Sequence, residues 1–177
     1  MFMKGLNKFP EEYFLKYKTK PVTLKPYNPQ QEQIAEIYIK KIGKVLKDYN
    51  IRLKIRGSTA FKIMGKGEVE VGVYPNDKEW NKVVDKLKSV FGEPENVETD
   101  YVRFNDIYKD TEVEIILLKE HEADVDIKLH DYLIAHPELL KEYVDIKKKY
   151  CYSKREYQRQ KHYFLSKVIE SIPGEEL

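Results

Sequence analysis

The sequence has one cysteine, Cys151, in 177 residues, so no internal disulfide can form. No apolar run approaches the roughly 20 residues that a transmembrane helix requires. The opening stretch, MFMKGLNKFPEEY, lacks the apolar segment of a secretory signal. Together these absences predict a cytoplasmic protein with no membrane partner. An excess of one charge is missing too. Lys and Arg number 32 against 30 Asp and Glu, for a net charge of +2, which does not favour nucleic acid as the partner. There is no internal repeat and no low-complexity linker. What is present is 41% hydrophobic and 35% charged residues, a balance that excludes a disordered chain. A chain of this length buries most of its apolar surface without a disulfide or a metal. It reads as one domain over 1–177, with an extension at 1–20 and C-terminal helices over 121–172.

Charge is unevenly distributed along the chain. Acids gather between Glu93 and Asp126, and bases gather near Lys18, over Lys147–Lys149 and over Lys154–Lys161. Two readings stand: solvated faces, or a basic arm that faces phosphates beside an acidic site. VTLKPY reads as a short strand. Asn28-Pro29 opens a helix, with Asn as cap, Pro at the first position and Gln31 completing a capping box. Ile34, Ile37, Tyr38, Ile42, Val45, Leu46 and Tyr49 form its apolar stripe. Ile51–Ile55 and Glu68–Tyr74 alternate with period two and read as strands, and GSTAFKIMGKG between them breaks regular structure. A helix carrying Trp80, Val83, Val84 and Leu87 is stopped by Gly92 and Pro94. TDYVRF and TEVEIILL are further strands, joined through NDIYKD. Beyond Glu120 the pattern is helical: a first helix breaks at His136-Pro137, a second starts with Pro137 in its first turn and carries Leu139, Leu140, Tyr143, Val144 and Ile146, and a last one starts under a Ser153 cap and ends at Pro173-Gly174. The expected fold is α/β (α+β): a mixed sheet with helices packed on one face, followed by a small helical bundle.

Three elements can carry chemistry. Gly57-Ser58 turns at the end of a strand. Glu68 and Glu70 lie two apart on the next strand and share a face, as do Glu112 and Glu114 on a later one. Glutamate is depleted in strands, so the two pairs are either the solvated face of an antiparallel sheet or a functional cluster. In the functional reading, clustered carboxylates favour Mg²⁺ or Mn²⁺, which takes hard oxygen ligands and substrate phosphates. Gly57 lets a triphosphate approach the backbone, Ser58 hydrogen-bonds it, and Lys66 neutralises it. Lys149, Lys154, Arg155, Tyr157 and Lys161 form a basic-aromatic stretch that suits a nucleotide's phosphates and base, or is a plain surface helix. His121-Glu122 lacks the second histidine of a zinc protease helix. His130 reads as a surface or core-edge residue, His162 as part of a solvated helix face, and Cys151 as structural.

A Gly-Ser turn, two acids on the following strand and a third acid on a later strand resemble the pattern of the polymerase β-like nucleotidyltransferases. Longer stretches resemble the GrpB family within that superfamily: LKPYNPQ from Leu24, IRGSTAFKIMGKGEVEV from Ile55, LHDYLIAHPELLKEYVDIKKK from Leu129, and the helix around YQRQKHYFLSKVI. The resemblance implies a nucleotidyltransferase-like mixed sheet. It implies a nucleoside triphosphate partner, Mg²⁺ or Mn²⁺, metal on Glu68, Glu70, Glu112 and Glu114, and catalysis through Glu68, Glu70 and Glu114. Gly57, Ser58, Lys66, Lys149, Tyr157 and Lys161 would bind the nucleotide. Where the family has aspartate this chain has Glu70, and where it often has a histidine pair this chain has Glu112 and Glu114. The acceptor stays open among a small molecule, a protein side chain and an RNA end, and the oligomeric state is not legible.

Overall fold

The computed structural model describes residues 9–174. Helix α1 (Glu11–Phe14) and the long α2 (Gln30–Val45) precede strand β1 (Ile51–Arg56), the one-turn helix α3 (Gly57–Phe61) and β2 (Val69–Pro75). Helix α4 (Trp80–Phe91), strands β3 (Asn96–Val97), β4 (Tyr101–Tyr108) and β5 (Thr111–Leu118), and helices α5 (Glu120–Ala135), α6 (Pro137–Tyr150) and α7 (Lys154–Ser171) complete the chain. The sheet runs β1-β2-β5-β4-β3, with β2 and β5 parallel and every other pair antiparallel. This is the expected mixed α/β architecture. Among the described residues no helix is long and apolar enough to cross a membrane.

Alternation assigns the two faces of the sheet. Val69, Val71 and Val73 of β2 and Val113, Ile115 and Leu117 of β5 point to one side, under Ala35, Tyr38 and Ile42 of α2 and Trp80, Val83 and Leu87 of α4. Each fully buried branched side chain there stabilises the fold by about 1.5–3 kcal/mol. Asn28 caps α2 as expected: its Oδ1 accepts from Gln30 N at 3.0 Å, and its own N–H donates to Gln31 Oε1 at 3.3 Å. Ile37 departs from the expected stripe and is 42% exposed.

Helices pack on both faces, which corrects the one-face expectation. On the second face α5 lays Ala123 and Ile127 against Tyr74, Tyr101, Ile116 and Leu118. The other side of α5 joins α6, α7 and Phe61 in a bundle core of Leu129, Leu133, Tyr143, Leu165 and Val168. Thus α5 covers the apolar end of that face and leaves the polar end, with Arg56, Glu70, Arg103 and Glu114, beside the bundle. Three local expectations also change. VTLKPY forms no strand, only a bridge from Lys25 to Gly65. GSTAF is helical rather than irregular. NDIYKD belongs largely to β4, and the hairpin turns at Lys109-Asp110, both with positive φ (47° and 66°), as a twist-matched two-residue turn requires.

Candidate functional site

The chain leaves β1 at Arg56 in extended geometry and reverses at Gly57, whose φ of +64° suits glycine. A second constraint acts on the same residue. A Cβ at Gly57 would overlap Glu70 Oε2 and lie 2.8 Å from Glu70 Cδ. The corner is therefore built with the carboxylate of Glu70 lying directly on the glycine backbone. Antiparallel pairing sets Arg56 opposite Glu70, and Arg56 Nη1 reaches Glu70 Oε1 at 3.3 Å.

Arg56 is 8% exposed and its guanidinium is held from behind. Its Nε and Nη2 donate to the two oxygens of Asp126 at 3.1 and 2.7 Å, a bidentate pair within the buried side of α5. Tyr74 donates to Asp126 Oδ2 at 2.5 Å. Burial alone would raise the Asp126 carboxyl; the Arg56 charge reverses this and holds it well below the usual carboxylate range. One turn on, His130 is buried. Its Nε2 accepts from Gly57 N at 2.9 Å, so Nδ1 carries the proton and donates to Asp126 O at 2.7 Å. Phe61 stacks on the ring with centroids 4.8 Å apart. The glycine corner is thus fixed by α5 through a neutral imidazole and an ion pair.

Glu70 stands opposite Glu114 across the parallel β2–β5 pair. Burial would raise both carboxyls. For Glu70 the charges of Arg56 and Lys161 prevail and lower it to about 2. For Glu114, burial and then the Glu70 charge prevail over Arg103 and push it up. Arg103 Nη1 lies 3.5 Å from Glu114 Oε1, while Arg103 Nε is buried with no hydrogen-bond acceptor among the described residues. Glu68 takes Lys66 Nζ at 3.2 Å. Glu112 does not join this group: it accepts from Asn105 Nδ2 at 2.8 Å and borders a separate cleft with Glu95, Asp106 and Asp110.

The basic-aromatic residues divide similarly. Lys161 lines a small cavity of about 50 Å³ with Arg56, Gly57, Glu70, Asp126 and His130, a space that suits water more than a nucleotide. Tyr157 is buried and within electrostatic reach of Lys161, Glu68 and Glu70. Lys149 is exposed, with its ammonium 5.3 Å from the centre of the Tyr150 ring. The Ser58 hydroxyl packs against Gly65, where an added Cβ would meet Ser58 Cβ at 2.8 Å. Lys147 was not singled out from sequence. It is 4% exposed and donates to Met64 O at 2.9 Å. Burial, then Lys161, lower it to about 7, against the pull of Glu70 and Glu68.

Sequence reasoning also missed Arg56, Tyr74, Asp126 and Arg103. Asp126 and His130, four apart on one helix, were the available signal for a shared face. His162, expected on a solvated helix face, is fully buried against Phe9 and Phe14. For a divalent cation the donor set is hard oxygen, and Glu70 and Glu114 face each other with mutual repulsion that a cation would relieve. These two residues fit such an ion. Among the described residues no group of three His, Cys, Asp or Glu side chains is arranged to hold one.

Comparison with solved structures finds Cid1 in complex with its short product ApU. It is 12% identical, covering 81% of this chain and 44% of that one, with a TM-score of 0.49. Leishmania infantum polymerase beta in a ternary P/T complex is 14% identical over 62% of this chain and 46% of that one, at 0.38. Elizabethkingia meningoseptica CdnE cyclic dinucleotide synthase with GTP and Apcpp is 10% identical over 94% and 76%, at 0.43. The chain spans less than half the length of the first two. No curated protein shows a significant match. The family model described as GrpB protein matches residues 21–171, which include the glycine corner, both acidic strands and all three C-terminal helices, and the chain belongs to the GrpB family.

Proposed function

We propose that the polar end of the sheet binds a nucleoside triphosphate with Mg²⁺ or Mn²⁺ and supports nucleotidyl transfer to an acceptor hydroxyl. The observation that carries this reading is the register of Glu70 opposite Glu114, with Glu70 pressed on the Gly57 backbone. Glu70 and Glu114 would hold the ion, and Glu68 would join on release from Lys66. When bound, the cation supplies charge neutralisation on the phosphates. Ser58 offers a hydroxyl, Lys66 and Lys161 supply positive charge, and the Gly57 backbone would meet a phosphate once the Glu70 carboxylate moves off it to the ion. Arg103 Nε is a buried donor that a phosphate oxygen would satisfy. A carboxylate of the group that does not hold the ion would take the acceptor's proton. A cytoplasmic setting fits a ligand of this class and the lone, half-buried Cys151.

A second reading has support of its own. Arg56 and Arg103 already neutralise Glu70 and Glu114, which suits a nucleotide-sensing module that binds without turnover. Calorimetric titration with ATP, GTP, CTP and UTP, with and without Mn²⁺, tests both readings. Saturable, metal-dependent binding that Glu70→Gln abolishes supports the first. Binding indifferent to both Mn²⁺ and Glu70→Gln overturns it. Binding with no pyrophosphate released on long incubation with candidate acceptors selects the second.

A further inference from the structure

We propose that residues 18–25 and 148–154 form a docking surface for single-stranded RNA, with its phosphates on the lysines and a base on the exposed ring of Tyr152. This docking does not depend on the nucleotidyl-transfer reading above. The net charge of +2 conceals the surface, because the acids gather elsewhere in the chain. Between Glu12 and Glu32 there are four lysines and no acid, and between Asp145 and Glu156 there are four lysines, one arginine and no acid. Basic residues clustered on one face and interleaved with aromatic rings are the footprint of a nucleic-acid surface.

Backbone hydrogen bonds bring the two stretches, distant in sequence, side by side. Val22 N donates to Cys151 O at 2.7 Å, Lys154 N to Lys20 O at 2.8 Å and Arg155 N to Lys18 O at 3.0 Å. The last two are first-turn N–H groups of α7, which a helix leaves without internal partners. The Arg155 guanidinium adds bonds to Tyr17 O at 3.1 Å and Leu15 O at 3.2 Å. Farther along, Lys25 exchanges two backbone bonds with Gly65, at 2.7 and 3.1 Å, and Lys147 Nζ donates to the adjoining Met64 O at 2.9 Å. The surface therefore borders the loop that carries Lys66 and Glu68 into β2.

Lys18, Lys20, Lys25, Lys148 and Lys149 are exposed, and Lys154 is half-buried. Among the described residues none of these six has a carboxylate partner, whereas Lys62 and Lys66 nearby are held by Glu32 and Glu68. Like charges gathered without counter-charges repel one another, and a chain of phosphates relieves that repulsion. Tyr152 stands among them 61% exposed, its ring centre 6.4 Å from that of Tyr150. A large exposed ring beside unpaired cations suits a stacked base. A duplex keeps its bases inside, so the strand that uses this ring is single. Thr19 and Thr23, interleaved with the lysines, are exposed and offer hydroxyls to the 2′-hydroxyls that distinguish RNA from DNA.

The test is fluorescence anisotropy of a labelled uridine oligonucleotide of about twelve nucleotides, titrated with the full chain. Affinity is expected to fall with salt at a log–log slope of about −4, the value for six phosphate contacts on a single strand. Lys148→Gln with Lys149→Gln should weaken binding and reduce the slope by about 1.4. Lys40→Gln with Lys44→Gln, the same charge change at exposed positions of α2, should leave both unchanged. Tyr152→Ala is expected to weaken binding about tenfold at an unchanged slope, and Tyr152→Phe to retain it. The deoxyuridine oligonucleotide should bind about threefold more weakly. Absence of saturable binding at about 50 mM salt, equal losses from the two lysine pairs, or indifference to Tyr152→Ala overturns the surface. Equal or tighter binding of the DNA overturns the assignment to RNA. Tighter binding to phosphatidylserine vesicles than to the oligonucleotide overturns the assignment to nucleic acid.

Discussion

Gly57→Ala is the substitution whose cost follows most directly from the geometry. At φ +64° an alanine pays about 1–2 kcal/mol that glycine does not. Its Cβ must also displace the Glu70 carboxylate, which breaks the bond from Arg56 between side chains 10% and 18% exposed. A charge-assisted bond of this kind contributes about 1.5–3 kcal/mol. Alanine restricts the unfolded chain and returns about 0.4–1 kcal/mol. The expected net loss is about 3 kcal/mol, a fall in melting midpoint of about 6–12 °C for a chain of this size. Urea denaturation of Gly57→Ala, Glu70→Ala and the double variant separates the contributions. In the Glu70→Ala background only the backbone cost should remain, leaving a coupling energy of about 2 kcal/mol. If Gly57→Ala costs the same in both backgrounds, the glycine is required by its turn alone, and the account of the corner as a seat for Glu70 is wrong.

Three further outcomes are expected. Asp126→Ala leaves Arg56 buried without its bidentate partner and should cost about 3–5 kcal/mol in chemical denaturation; a loss under about 1 kcal/mol would show that water replaces the carboxylate. The Asp126 carboxyl is depressed in the fold, so its contribution is complete above the ordinary value near 3.9 and should be lost as pH falls through the folded value. Glu114 is shifted the other way, so its ionisation opposes folding as pH rises through the raised value, and Glu114→Gln should raise the melting midpoint at neutral pH. Lys147, lowered from 10.5 to about 7, binds its proton more weakly in the fold. Wild-type stability should therefore rise between about pH 7 and 10.5, and Lys147→Met should be more stable at pH 7 and lack that rise.

The strands β1, β2 and β5 were legible because one face of each is apolar, and alternation reports that directly. The hairpin turn was not. Lys109-Asp110 adopts positive φ without the glycine or asparagine that usually marks such a turn, so β4 looked shorter than it is. Helix α5 hid most of the site for a different reason. It lies between the sheet and the bundle and buries Ala123, Asp126 and His130 as well as Val125, Leu129 and Leu133. A helix buried on two sides has no single narrow stripe for periodicity to find, and its buried charged residues read as solvent-facing. The sequence placed Glu68 and Glu70 on one strand and Glu112 and Glu114 on another. The meeting of Glu70 with Glu114 depends on strand order, which no local pattern encodes.

Strand order also sets when the site comes into being. Glu70 sits in an antiparallel pair with β1, and Glu114 in the tight β4–β5 hairpin, so each carboxylate belongs to a unit of near neighbours in the chain. The two units join only through the parallel β2–β5 seam, whose closure spans α4, β3 and β4. Loop-closure entropy makes such a seam slow relative to the hairpins it unites. Neither antiparallel unit by itself sets the two acids face to face. The site arises at the step that completes the sheet, so a partly folded molecule lacks it.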